Sequence, residues 1–422
     1  MLLYNSNINK EAIIIIFSTL MILFTLLIFN YYLYKKIYNN KNLFLLSITF
    51  IIIYYLISIL IYNNNIYNNY EYGILYGDIL QNHFCDEYRY FVDSDILLNH
   101  FKSGDFSAWI TKSLPSYEFI DPQGHPGFGN YNIFVIILAI LKLIGFTNTL
   151  QIITLKLIVY IPTVIILYKL SKLYLSEKYS LLSVAIFSCL PGYVLTNTLL
   201  MRDNIIVLLS LILIYYIISN KINIYLFVPS IVLLFFFRSY LVAILIVSFA
   251  FCYKNSKKIL SKFDIIYIII ILLSIQFFST TNFNNEQMRI LQERFALLFG
   301  SGIMSIIKVC INSVVHIIYD PPYISFLTSE IIYLSIFSLG NILGTVISFL
   351  SIIKYIYLII INKYNNYIYL LKFTFYFTAI TAILVLSKDG YIINRIALMW
   401  LPLFIIILLI PINNFNNKKN VN

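Results

Sequence analysis

Long apolar runs separated by short polar breaks fill most of this chain. A helix needs about 20 residues to cross a bilayer. On that measure the runs predict crossing helices at about 11–34, 43–62, 150–170, 179–197, 204–219, 223–237, 239–253, 263–280, 328–353, 367–387 and 396–413. The two at 223–253 are short, which predicts a hairpin with Arg238 at its outer tip. Two further apolar stretches, 131–146 and 303–319, are given no crossing and are expected to lie along the surface or to dip in and return. The expected fold is therefore all-α: a polytopic transmembrane bundle of about 11 spans with an external loop carrying juxtamembrane helices. The chain divides into an extra N-terminal span (1–42), a core (43–255) that includes the loop 63–149, and a C-terminal transmembrane region (256–422).

Composition agrees with the pattern. Apolar residues make up 60% of the chain and charged ones 11%, with a mean hydropathy of +0.86; an ordinary soluble domain is excluded. The first run is long enough to span and lacks a small-residue cleavage site, so no cleavable signal peptide is expected. Tracts such as "NNNIYNNYEY" are spacers. Cys85, Cys189, Cys252 and Cys310 lie far apart without CxxC spacing, a pattern that gives neither a disulfide framework nor a metal site.

The net charge of +11 changes meaning in a membrane chain, where the side on which the charges fall matters more than their sum. Lys35, Lys36, Lys41, Lys169, Lys172, Lys178, Lys221, Lys254, Lys257, Lys258, Lys262, Lys354, Lys363, Lys418 and Lys419 all fall on one side if the spans alternate as above. That side is then cytoplasmic, with the N-terminus outside and the C-terminus inside. In this frame all four histidines and all six arginines (Arg89, Arg202, Arg238, Arg289, Arg294, Arg395) are external, as are nine acidic residues between 63 and 130. Arginine offers a planar fork that grips phosphate or carboxylate with two hydrogen bonds, which lysine lacks. The expected chemistry is external, and no nucleic-acid partner is expected.

Four stretches carry candidate chemistry. "HFCDEYRYFVDSDILLNHFKSGD" (83–105) has the apolar spacing of a surface-lying amphipathic helix, with Asp86 and Glu87 at its start. These carboxylates are either a charged helix N-terminus or a general base or metal ligand. "DPQGHPGFGNYNIFVIILAILKLIG" (121–145) places His125 in a Pro/Gly turn before an apolar helix. "CLPGYVLTNTLLMRDNIIVLLSL" (189–211) sets Arg202 and Asp203 between two spans, and "SKDGYIINRIALMWLPL" (387–403) sets Asp389 and Arg395 at a helix end.

In this order the elements resemble the C-type glycosyltransferase superfamily, multi-pass enzymes that use polyprenyl-phosphate sugars, and within it the protein-mannosyltransferase and aminoarabinose-transferase branch. "CDEYRYFVDSDILL" resembles the acidic first juxtamembrane helix, "HPGFGNYNIFVIILAILKLIG" the second, "LPGYVLTNTLLMRDNIIVLLSLILIYY" the Arg-x-Asp-type segment, and "FFFRSYLVAIL" the short hairpin with a basic residue. The likeness covers about 43–255; His125-Pro126-Gly127 stands where the family has Lys-Pro-Pro. It implies a membrane lipid carrier, a polyprenyl-phosphate sugar donor and a glycan, lipid or protein acceptor. It implies Asp86 as base, with Glu87 assisting or binding metal. Arg202 and Arg238 would face the donor phosphate, Asp203 would orient acceptor or arginine, and His125 and Arg395 would be further substrate contacts. Carboxylates suit Mg²⁺ or Mn²⁺, though nothing in the sequence fixes a metal.

Two other classes compete. A polysaccharide polymerase or ligase also handles polyprenyl-linked glycans, but more often has its main external loop late in the chain. A lipid or glycan transporter predicts repeated halves and charges near mid-membrane; no internal repeat is visible and charges inside the runs are few.

Overall fold

A computed structural model describes residues 2–74, 77–78, 83–84, 86–111, 133–219, 222–253, 332–361, 367–389 and 394–411. Four helical segments among them are long and apolar enough to cross a membrane: Ile14–Tyr38, Lys41–Tyr67, Thr149–Lys172 and Ser338–Ile360. The bent pair Glu177–Cys189 and Pro191–Thr198 makes a fifth if its halves form one span. Shorter apolar helices cover Ile133–Leu143, Asp203–Ser219, Ile224–Arg238, Tyr240–Cys252 and Ile368–Thr381. The protein is thus built of apolar α-helices suited to membrane insertion. Among the described residues the strands are confined to one pairing of two residues each, Gly77–Asp78 with His83–Phe84. The stretches 263–280 and 303–319 lie outside the described residues.

Helix α1 (Leu2–Leu33) and its π-helical extension Tyr34–Tyr38 lead to α2 (Lys41–Tyr67). Asn40 caps α2 by accepting the Leu43 N–H at 2.9 Å. In lipid, apolar surface gives helices little reason to associate, and polar side chains act as the glue. Thr19 Oγ1 and Tyr55 OH lie 3.1 Å apart between α1 and α2. Gln151 donates to Ser18 Oγ at 2.7 Å and Asn148 to Tyr62 OH at 2.9 Å, which fastens α6 (Thr149–Lys156) to both.

Helix α3 (Asp86–Lys102), followed by the single turn α4 (Ala108–Thr111), packs along α5 (Ile133–Leu143). Tyr90, Phe91, Leu97 and Leu98 of α3 are buried, as are Phe134, Val135, Leu138 and Ala139 of α5, and Tyr90 meets Phe134 edge-on with centroids 5.0 Å apart. At ~1.5 Å per residue the 11 residues of α5 extend about 16 Å, half the ~30 Å hydrocarbon thickness. Both helices stop at a left-handed glycine, Gly104 at φ +83° and Gly145 at φ +108°, a conformation glycine adopts without a Cβ penalty.

Two prolines shape the next helices. Between α6 and α7 (Tyr160–Lys172), residues Leu157–Val159 tighten into a 3₁₀ turn. Pro162 is the cause: it lacks the N–H that would bond the Ile158 carbonyl, and its ring crowds that oxygen. The stretch 179–197, which reads as one run, divides at Leu190 into α8 (Glu177–Cys189) and α9 (Pro191–Thr198), bent by 65°. Leu190 precedes Pro191 and takes the extended geometry, φ −61° and ψ 123°, that a following proline enforces. After α10 (Asp203–Ser219), α11 (Ile224–Tyr253) breaks at Arg238, whose φ of −156° and ψ of 88° are extended.

The chain clusters into two compact units. The first comprises Met1–Ile166, Tyr193–Ile212 and Val228–Ser239. Its core includes the buried tyrosines Tyr54, Tyr160 and Tyr193, with centroids 5.1 Å apart for the first pair and 6.3 Å for the second. The second unit holds the remainder, including α12 (Ile332–Ile360), α13 (Ile368–Asp389), α14 (Asn394–Ala397) and α15 (Leu401–Leu408). There α15 is buried along its length against α12 and α8, and Ser351 donates to the Phe404 carbonyl at 2.9 Å.

Candidate functional site

Within the first unit, residues 199–202 (Leu-Leu-Met-Arg) connect the end of α9 to the start of α10. Charged side chains from three helices gather on this connector and on Asp203, which begins α10.

From α3, Glu87 accepts the Leu200 N–H with Oε1 and is 4% exposed. From the last residue of α6, Lys156 donates to the carbonyls of Thr196 at 2.7 Å, Met201 at 2.8 Å and Leu199. From the break in α11, Arg238 Nη2 donates to Asp203 Oδ1 at 2.7 Å, with both side chains largely buried. Arg202 points toward α3, its guanidinium carbon 5.7 Å from the Tyr90 ring centroid, within cation–π range. Below the connector Asn204 donates to Asn197 at 3.2 Å, and Asn197 to the Tyr193 carbonyl at 2.8 Å.

The local sequence explains each placement. Asp86 and Glu87 occupy the first turn of α3, where a carboxylate suits the helix N-terminus. Lys156 ends the last α-helical turn before the 3₁₀ segment. Asp203 opens α10 in the same way, and Arg238 stands where α11 abandons helical geometry.

Burial dominates the electrostatics. It pushes the Glu87 carboxyl up from 4.5 to about 7, against the opposing pull of the Leu200 N–H and the Lys156 ammonium, with Asp86 adding a smaller upward push. Beside this cluster Lys142 of α5 ties α3 down. Its ammonium donates to the Phe91 carbonyl at 2.9 Å, pairs with Asp95 at 2.9 Å and lies 3.2 Å from the Phe91 ring centroid. Burial lowers Lys142 to about 8, with Asp95 pulling the other way.

Of the residues singled out from sequence, Glu87, Arg202, Asp203 and Arg238 come together here, with the half-buried Asp86 one position before Glu87. His125 lies outside the described residues, and Arg395 belongs to α14 in the second unit. Among the described residues no set of three His, Cys, Asp or Glu side chains is arranged to hold a metal ion. Lys156 escaped sequence reasoning altogether. The signal was present: one lysine inside the apolar run "LQIITLKLIVYIP", where a lysine costs about 2.5–3.5 kcal/mol even on the lenient insertion scale.

The arrangement has the parts for anion recognition beside carboxylates: two guanidinium groups, Arg202 and Arg238, next to Asp203 and the Asp86–Glu87 pair. No protein-family model, curated protein or solved structure matches the chain.

Proposed function

We propose that this chain is a membrane glycosyltransferase. It moves a sugar from a polyprenyl-phosphate carrier to an acceptor on the external face of a cell membrane, within a bundle of about 11 spans. The observation that carries the reading is the gathering of Glu87, Arg202, Asp203 and Arg238 on one connector. The four come from three separate sequence stretches that resemble successive motifs of the C-type superfamily, Arg202 and Asp203 sharing one.

In the proposed reaction the acceptor hydroxyl attacks the anomeric carbon and a new C–O bond forms with inversion. The bond from that carbon to the carrier phosphate oxygen breaks, and the phosphate leaves with the electron pair. Asp86 takes the hydroxyl proton as general base, while Glu87 is held inward by Leu200. Arg202 and Arg238 stabilise the charge that develops on the leaving phosphate. Asp203 keeps Arg238 oriented through its 2.7 Å contact. A divalent metal such as Mg²⁺ or Mn²⁺ would have Asp86 as its ligand from this pair, since Glu87 is turned inward to Leu200, and His125 and Arg395 remain proposed substrate contacts.

The test is transfer from a synthetic polyprenyl-phosphate sugar by purified protein in nanodiscs, read as release of polyprenyl phosphate. Arg238→Lys keeps the charge but loses the planar fork. It should cut transfer about tenfold or more, consistent with ~1.5–3 kcal/mol for a hydrogen bond to a charged group, and Arg238→Ala should be worse. Equal activity of the Lys variant and the parent would leave Arg238 as a structural partner of Asp203 only.

Two observations favour a second reading, transport of a lipid or glycan. Lys156 is a buried charge within a helix long enough to span, and the broken pair α8–α9 ends at the same connector, both features of transporter sites. Accelerated movement of a labelled polyprenyl lipid across proteoliposomes, without sugar transfer, would decide for it.

A further inference from the structure

The firmest hold on the connector comes from Lys156, a residue to which the proposed reaction gives no part. Helix α9 ends at Thr198, and the last carbonyls of any helix lack intrahelical partners. An apolar surrounding offers them no water. An ammonium has three N–H donors, and Lys156 directs bonds to three carbonyls, those of Thr196, Leu199 and Met201. The charge is favoured there because a helix C-terminus carries partial negative charge. Glu87 takes the complementary group, the Leu200 N–H, from the same four residues. A carboxylate and an ammonium therefore hold alternate amide and carbonyl groups of one short segment, and each also sees the other's charge. A compact ammonium on a flexible stem suits three converging carbonyls, whereas the planar fork of arginine does not.

Resting on the glycosyltransferase reading, we infer that Lys156 is a positioning residue. It acts as a tethered cation that fixes the backbone of 199–202 so that Arg202 faces α3 and Asp203 meets Arg238. The two phosphate-facing arginines are thereby set by a lysine that never touches substrate.

The test uses the full chain in nanodiscs and pairs two readouts, backbone hydrogen exchange over 196–204 and sugar transfer from a synthetic polyprenyl-phosphate donor. Lys156→Met should raise exchange in that segment about tenfold or more, leave α12 unchanged, and lower kcat at least tenfold. Lys156→Gln retains two donors and should fall between parent and Met; it also serves if the Met variant does not insert. Lys156→Arg should not restore parental values. Unchanged exchange in both Met and Gln variants overturns the inference whatever the activity. Raised exchange with parental transfer, alongside an inactive Arg238→Ala, also overturns it and leaves the glycosyltransferase reading standing. Raised exchange in a protein whose parent transfers no sugar sinks that reading instead, and leaves Lys156 as a fastening of the connector alone.

Discussion

Asp86 and Glu87 are adjacent in the chain and meet different surroundings: Glu87 is buried against Leu200, while Asp86 is half-buried. This difference makes a prediction about pH. The Glu87 carboxyl is raised in the folded protein from 4.5 to about 7, so the folded state binds its proton more tightly than the unfolded chain does. By linkage, stability then falls as pH rises from about 4.5 to about 7 and is flat above that window. Glu87→Gln should remove this slope in thermal unfolding of the detergent-solubilised protein, because the amide oxygen still accepts from Leu200 and carries no titration. An unchanged slope in the Gln variant would assign it to another group. The catalytic counterpart is Asp86→Asn, expected to abolish transfer while insertion is kept, with Asp105→Asn mild. At this scale the sequence exposed the right types of residue but not their division of labour. Two neighbouring carboxylates are equivalent on paper, and only the approach of Leu200, 113 residues later, makes one an anchor. Lys156 was hidden for a related reason: a lysine in an apolar run reads as an exception until three carbonyls are found around it.

Helix positions were legible where periodicity and length carried them, and breaks were legible only as prolines without a geometry. The apolar spacing of 83–105 predicted the helix found at Asp86–Lys102. The bend at Leu190 and the 3₁₀ turn before Pro162 depend on which carbonyl each proline crowds, which follows once the helix register is known. The pairing of α3 with α5 was not predicted, since nothing in the sequence links Lys142 to Phe91 or Asp95. That pairing can be tested by comparing its two parts. Lys142 has a side chain 1% exposed, whereas that of Asp95 is 44% exposed. Lys142→Met should cost about 2 kcal/mol, the loss of a buried hydrogen bond to a charged group. Asp95→Asn should cost under ~1 kcal/mol, as solvent-screened ion pairs do. Chemical denaturation monitored by tryptophan fluorescence at Trp109, which follows α4's first residue, measures both; the reverse ranking would place the strength in the ion pair.

For the whole molecule, the sequence made the class plain, because +0.86 mean hydropathy and repeated apolar runs leave few alternatives to a helical membrane protein. Sidedness is a separate matter, since it rests on where lysines fall and not on how helices pack. The proposed orientation puts Lys36 and Lys257 on the cytoplasmic side and Asp105 and Phe283 outside, given that 131–146 and 303–319 do not cross. The first condition has a physical basis: α5 is about half the length a crossing needs, and it lies along α3, whose first turn holds the Asp86–Glu87 pair. Were α5 alone to cross, every loop from 147 to the C-terminus would change sides, and lysine-bearing loops would face both compartments. Single cysteines introduced at 36, 105, 257 and 283 in a background lacking the four native ones separate the cases. A membrane-impermeant maleimide on intact cells should label 105 and 283 and spare 36 and 257, with all four labelled after permeabilisation. Labelling at 105 and 257 together would mean an additional crossing between them. Labelling at 36 and 257 with protection at 105 would invert the protein, put Asp86, Arg202 and Arg238 on the cytoplasmic side, and remove the external site on which the proposed chemistry depends.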